Sequence, residues 1–164
     1  MRVYKSEDIT GVEVGGALKN IIAFGVGICT ELGFGTNAQS ALITRGLAEI
    51  ARLGVKMGGD IETFYGLSGL GDLILTCSSD ESRNRRAGRL IGKGYTIEEA
   101  KKEIGQTVES AENIKIAKAL AEKFDVNMPI VDAAYDILYN NVTPQEAGKA
   151  LMTRNIRFEN DFKR

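Results

Sequence analysis

Apolar residues recur at helical spacing along most of the chain. Between residues 12 and 30 they follow one another at intervals of three or four, and the opposite face is mostly Gly and Ala. Such a stripe predicts a long helix that is buried on most of its surface. A second stripe predicts a helix over 37–57, which Gly58 and Gly59 end.

Residues that typically start helices divide the remainder of the chain. Thr36 with Gln39, and Thr96 with Glu99, have the spacing of capping boxes, in which side chains satisfy the free N–H groups of a first turn. Further helices are predicted behind an N-cap residue or a first-turn proline, over 60–65, 110–124, 129–139 and 143–152. We therefore expect an all-α fold of about eight or nine helices.

The length of 164 residues suits a single domain, which we expect to span residues 1–164. At its start, residues 2–4 (Arg-Val-Tyr) could be the remnant of a strand. At its other end, the polar tail from Thr153 is expected to fray.

Charge and cysteine content exclude several function classes. The formal net charge of -1 creates no field that would attract nucleic acid or an anionic membrane, and we expect neither partner. The longest apolar run, residues 21–29, is too short to span a bilayer. Cys29 and Cys77 lie in apolar surroundings and are expected to be reduced thiols. With no signal peptide recognised, the expected location is the cytoplasm.

The sequence contains no histidine, which removes the usual general base and imidazole metal sites. Lysine becomes the leading candidate for acid–base chemistry. Between Val14 and Cys29 the only polar side chains are Lys19 and Asn20. A charged lysine there must either find a partner or give up its proton. The alternative is a lysine that only extends its amine from an apolar face to water.

A glycine-rich run, GLSGLGDLILTC at 66–77, precedes the next candidate. Its glycine spacing is only a weak match to a dinucleotide-binding loop, because no strand precedes it. Asp72 lies between the glycines and an apolar run, and is either a helix N-cap or a carboxylate that holds Lys19.

Arginines cluster in SRNRR, residues 82–86, with Arg89 beyond. Arginine at a helix start suits bidentate binding of phosphate, although a solvated basic helix face has the same composition. A lysine, a carboxylate and an arginine cluster together suit a small phosphorylated carbonyl or alcohol, without deciding the reaction.

Several blocks of the sequence together resemble one family, the glycerol-3-phosphate dehydrogenases, over their C-terminal domain. The matching blocks are GVEVGGALKN (11–20), ALITRGLAEIARLG (41–54), GLSGLGDLILTC (66–77), SRNRRAG (82–88) and MPIVDAAYDILY (128–139). The resemblance implies a helical substrate-binding domain like the C-terminal domain of the 6-phosphogluconate-dehydrogenase-like superfamily.

The resemblance also implies roles for individual residues. Lys19 corresponds to the catalytic lysine that accepts the proton of the C2 hydroxyl, and Asp72 to the catalytic aspartate beside it. The implied substrate contacts are Lys19, Asn20, Asp72, Thr76, Ser82, Arg83 and Asn84. The implied cofactor contacts are Arg83, Val108 and Glu109, and no metal is implied.

The implied cofactor is NAD or NADP, bound mainly by an N-terminal Rossmann domain that this chain does not contain. The implied activity is the interconversion of sn-glycerol 3-phosphate and dihydroxyacetone phosphate, in glycerol-3-phosphate metabolism and phospholipid biosynthesis. The chain alone is expected to be inactive, and the resemblance suggests a homodimer.

Two other interpretations stay open at this stage. One is the helical domain of a related 2-hydroxyacid dehydrogenase, whose substrate would not require the arginine cluster. The other is a non-catalytic helical interaction domain.

Overall fold

The computed structural model describes residues 2–154, in which the regular structure consists of nine α-helices and one π-helical turn. The helices are α1 (Ile9–Glu31), α2 (Thr36–Lys56), α3 (Ile61–Tyr65), α4 (Asp72–Ser78), α5 (Arg83–Gly92), α6 (Ile97–Ile104), α7 (Glu109–Lys123), α8 (Pro129–Tyr139) and α9 (Pro144–Met152), and the π-helical turn is Leu67–Gly71. The all-α expectation is confirmed. Residues 2–4 are irregular, so the suggested strand is wrong. Most of the tail expected to fray, residues 155–164, lies outside the described residues.

Helix α1 forms the centre of the domain. It packs against α2, α4, α5 and α7, and Ile21, Ala23 and Phe24 on it are fully buried. Among the described helices, α1 alone has the length and hydropathy of a membrane span, with 56% of that stretch buried inside the domain. A core helix has the same features, because it also buries apolar side chains on most of its surface.

Two glycines bring α1 and α5 into backbone contact. A Cβ atom on Gly27 would lie 2.0 Å from the carbonyl oxygen of Arg85, and one on Gly88 would lie 1.9 Å from that of Phe24. No side chain larger than hydrogen fits at such separations. The helices cross where Phe24, Gly27 and Ile28 of α1 meet the middle of α5.

Helix starts agree with the predicted caps in some places and not in others. The Thr96–Glu99 capping box is confirmed. The expected box of Thr36 and Gln39 is wrong, because Thr36 is already the first residue of α2 and Gly35 occupies the N-cap position. The amide of Gln39 instead donates to a main-chain carbonyl of the preceding loop.

Helix α8 is capped by a side chain from another helix. The N-cap position holds Met128, which has no side-chain cap, and Glu49 of α2 accepts hydrogen bonds from the N–H groups of Ile130 and Val131. Glu49 is only 2% exposed. Burial raises the pKa of Glu49 to about 7, and the two N–H groups oppose that rise. Burying the carboxyl costs free energy locally, but it provides acceptors for N–H groups in the first turn of α8.

We expect Gly88→Ala to destabilise the domain by about 2–3 kcal/mol, because the two backbones must separate to admit the methyl group. The matched control is Gly16→Ala in α1, where a Cβ would meet nothing within 4 Å. That change should be neutral or stabilising, since alanine favours a helix over glycine by about 1 kcal/mol. Urea unfolding of both variants measures the difference. Equal stability of the two variants would contradict the backbone contact.

Glu49 should make stability depend on pH. With its pKa raised from 4.5 to about 7, the folded chain binds a proton more tightly than the unfolded chain. The stability that this proton contributes is complete below pH 4.5 and is lost as the pH rises through about 7.

In Glu49→Gln this contribution is absent, and the amide oxygen still accepts a hydrogen bond. The free energy of unfolding of wild type, measured relative to that of Glu49→Gln, should therefore fall by about 3 kcal/mol as the pH rises from 4.5 to about 7. Urea unfolding of both proteins across the range measures it. A difference independent of pH would refute the buried ionisable cap.

Candidate active site

Lys19 and Asp72 form an ion pair across the junction of α1 and α4. The Nζ atom of Lys19 donates a hydrogen bond to Oδ2 of Asp72, although 53 positions separate them in sequence. The side chains are 21% and 33% exposed, respectively. The expected pairing is confirmed, and the pair remains accessible to a ligand from solvent.

The glycine-rich run places Asp72 rather than binding a dinucleotide. It forms the π-helical turn between α3 and α4, and a Cβ on Gly69 would lie 2.3 Å from the carbonyl oxygen of Phe64. The N-cap position of α4 is Gly71, so Asp72 is the first helical residue and not the cap. There its carboxylate also lies at the positive end of the helix dipole.

Glu109 contacts both α1, which contains Lys19, and α5, which begins with Arg83. Its Oε2 atom accepts a hydrogen bond of 3.0 Å from Nδ2 of Asn20, the residue after Lys19. Its Oε1 atom lies 3.7 Å from Nη2 of Arg83. Glu109 and Arg83 are the first residues of α7 and α5, so two helix starts meet beside the middle of α1.

The arginines of the 82–86 run separate in the structure. Arg85 pairs with Asp80 in the loop before α5. Arg89 lies 3.4 Å from Glu31 at the other end of α1. Arg83 is the member that reaches Glu109, with its side chain 40% exposed. Of Arg83, Arg85 and Arg89, Arg83 is therefore the one that lies at the junction with Asn20.

The remaining predicted substrate contacts hold main-chain groups in this structure. Ser82 is the N-cap of α5 and accepts from the N–H of Arg85 at 3.3 Å. Asn84 is buried, and its Oδ1 atom accepts from the N–H of Ser110 at 2.9 Å. Thr76 donates to the carbonyl oxygen of Asp72 one turn earlier. These bonds lie in the first turns of α5, α7 and α4, the helices that begin with Arg83, Glu109 and Asp72.

Val108, a predicted cofactor contact, is the N-cap residue of α7 and is only 2% exposed as a whole residue, so little of it is open to a ligand in this structure. Sequence reasoning missed Asn113, which lies one turn after Glu109 and donates to the carbonyl oxygen of Ala17 at 2.9 Å. The only signal for it was the i, i+4 spacing to Glu109 on one face of α7.

Cys29 and Cys77 are free thiols, as expected. Burial raises the pKa of Cys29, and it raises the pKa of Cys77 to about 12. Both thiols stay protonated near neutral pH, which makes them poor nucleophiles. The acid–base chemistry that this site can support therefore belongs to the Lys19–Asp72 pair.

The arrangement is that of a helical ligand-binding domain whose site lies where helix ends meet. A lysine amine held by a carboxylate can exchange a proton with a hydroxyl or carbonyl group. An accessible guanidinium at a helix start can bind an anionic group of the same ligand. Fold and site together define a helical domain with a paired lysine and an accessible arginine at its helix junctions.

The family follows from comparison with known proteins. Residues 8–149 match the family model for the NAD-dependent glycerol-3-phosphate dehydrogenase C-terminus, and the chain belongs to this family.

Curated relatives agree with this assignment. The chain is 54% identical over 158 residues to glycerol-3-phosphate dehydrogenase [NAD(P)+] of Clostridium perfringens, covering 96% of this chain and 48% of the relative. It is 56% identical to the Bacillus subtilis protein of the same name, over 93% of this chain and 44% of the relative. The chain thus spans about half the length of the curated relatives it matches.

Solved structures give the same result for the fold. The glycerol-3-phosphate dehydrogenase of Coxiella burnetii matches with a TM-score of 0.90 and 46% identity, over 93% of this chain and 47% of that one. The Saccharomyces cerevisiae enzyme matches with a TM-score of 0.79 and 34% identity, over 87% of this chain and 42% of that one.

We expect Asn84→Ala to loosen the start of α7, because it removes the acceptor for the Ser110 N–H. Loss of a helix cap costs about 1 kcal/mol, which corresponds to roughly fivefold faster amide exchange at Ser110. Hydrogen exchange followed by NMR measures it. In the matched control Ser82→Ala, exchange should accelerate at Arg85 and not at Ser110. Unchanged exchange at Ser110 in Asn84→Ala would rule out this cap.

Proposed function

We propose that this chain is the substrate-binding half of an NAD(P)-dependent glycerol-3-phosphate dehydrogenase. The observation that carries the proposal is the accessible ion pair between Lys19 and Asp72, formed by residues of two separate family-matched blocks. The reaction would interconvert sn-glycerol 3-phosphate and dihydroxyacetone phosphate.

Lys19 moves the proton in this mechanism. During oxidation, its neutral amine accepts the proton of the C2 hydroxyl. During reduction, its ammonium group stabilises the developing alkoxide and then protonates that oxygen. Asp72 holds the amine in place through its hydrogen bond, so that proton transfer does not require a search among lysine rotamers.

Arg83 binds the substrate at its other end. Its guanidinium is 40% exposed, and it stands at the start of α5, where the helix dipole also favours an anion. Binding the phosphate there orients the three-carbon substrate, and the binding energy of this remote group serves the reaction at C2. Asn20 of α1 is buried and reaches this junction through its hydrogen bond to Glu109.

The residues at this junction fit contacts to one edge of a nicotinamide dinucleotide. Glu109 is 50% exposed and Arg83 40%, so both can reach a ligand, while the neighbouring Val108 is buried. NAD or NADP, when bound, accepts or supplies the hydride at C2. The glycine run at 66–71 packs against α3, and we assign the main cofactor site to a separate Rossmann domain.

The proposal includes the setting of the enzyme. We place it in the cytoplasm, as a homodimer, in glycerol-3-phosphate metabolism that supplies phospholipid biosynthesis. The family to which residues 8–149 belong supports only the link to glycerol 3-phosphate in this setting. The chain on its own should have no dehydrogenase activity.

We expect Lys19→Met to lower kcat by about 10²–10⁴-fold, the usual contribution of one general acid or base. The assay uses a chimera in which this chain replaces the 158 matched residues of the Clostridium perfringens relative. Reduction of dihydroxyacetone phosphate is followed through NADH or NADPH absorbance.

The matched control is Lys93→Met, which makes the same side-chain change at an exposed position at the far end of α5. Its kcat should equal that of the unmodified chimera. A Lys19→Met chimera that folds and retains full kcat would overturn the assignment of Lys19.

A further inference from the structure

The positive charges at the start of α5 have no acidic partner in the first turn of that helix. Its first turn contains Arg83 and Arg85 and no acidic residue. Cations at a helix N-terminus are unfavourable, because the helix dipole is positive there. Arg85 is neutralised by Asp80 from the preceding loop. Arg83 has its counter-charge in Glu109, which belongs to a different helix.

The two contacts of Glu109 differ in strength. The bond from buried Asn20 to Oε2 is 3.0 Å long, an ordinary hydrogen bond. The distance of 3.7 Å from Oε1 to Arg83 exceeds that of a hydrogen bond, and both side chains are at least 40% exposed. Exposed ion pairs of this kind contribute little and are broken easily. Asn20 therefore anchors the carboxylate, and Arg83 can exchange it for another anion.

From these contacts we infer that Glu109 is an internal competitor for the phosphate-binding position at Arg83, an inference that rests on the proposed function. The anchored carboxylate lies 3.7 Å from Nη2 of the guanidinium. A phosphate dianion bound to Arg83 lies beside that negative charge and is repelled by it. Glu109 weakens phosphate binding until its carboxylate turns away from Arg83.

The test is an NMR titration of this chain with glycerol 3-phosphate and, separately, with inorganic phosphate. Glu109→Gln removes the charge and keeps an oxygen that can accept from Asn20. We expect it to bind both ligands about three- to tenfold more tightly than wild type, as expected for a single charge several ångströms from a dianion in water. A purely structural role for Glu109 predicts the opposite sign, weaker binding.

Glu31→Gln is the matched control, because Glu31 of α1 forms a comparable pair with Arg89, another arginine of α5. Its affinity should equal that of wild type. Arg83→Gln should abolish saturable binding. Circular dichroism and urea unfolding verify that each variant is folded, and Glu109→Ala provides a second variant without the charge.

The outcomes separate this inference from the proposed function. Equal or weaker binding by Glu109→Gln, with binding still dependent on Arg83, overturns the competitor role and leaves the proposed function standing. Absence of saturable binding in both wild type and Glu109→Gln overturns the inference and also removes Arg83 as the phosphate contact. The Lys19→Met chimera tests the reaction independently of either result.

Discussion

The backbone contact between α1 and α5 is the constraint on which the rest of the structure depends. Gly27 and Gly88 let the two helices approach until main-chain atoms touch. At a normal interhelical distance, the start of α5 would move away from α1. Glu109 could then no longer contact both Arg83 and Asn20. Two hydrogen atoms in place of side chains thus decide where the charged residues meet.

Helix ends supply both the polar interior and the site. Glu49 caps α8 from α2, and Asn84 caps α7 from α5, each through a buried side chain. These long-range caps hold helix starts at defined positions, because a buried N–H without a partner is costly. Asp72, Arg83 and Glu109 are each the first residue of a helix. The charges of the site are therefore fixed by the same interactions that terminate the helices.

Charge balance at the site has a functional side. Asp72 and Lys19 neutralise each other, as do Glu109 and Arg83. The Glu109–Arg83 pair is at least 40% exposed, so an anion can displace the carboxylate at little cost. The Lys19–Asp72 pair is less exposed and keeps the amine in place. A site organised as ion pairs carries little uncompensated charge before the ligand arrives.

The sequence alone determined the helical class and most helix positions, because apolar spacing and caps such as Thr96 with Glu99 are local in sequence. It also indicated the pairing of Lys19 with Asp72, since a lysine in an apolar helix needs a partner and the family-matched blocks supply one. Tertiary structure decided what depends on contacts between distant segments. Examples are the Glu49 cap, Asn84 as the cap of α7, and the different partners of Arg83, Arg85 and Arg89.

Periodicity records which face of a helix is buried, but it does not record which backbone passes close by or which distant N–H lacks a partner. The expected Thr36–Gln39 box was wrong for this reason. Gly35 is the N-cap residue of α2, and the Gln39 amide donates to a carbonyl of the preceding loop. Such choices are made by three-dimensional proximity, which local patterns do not encode.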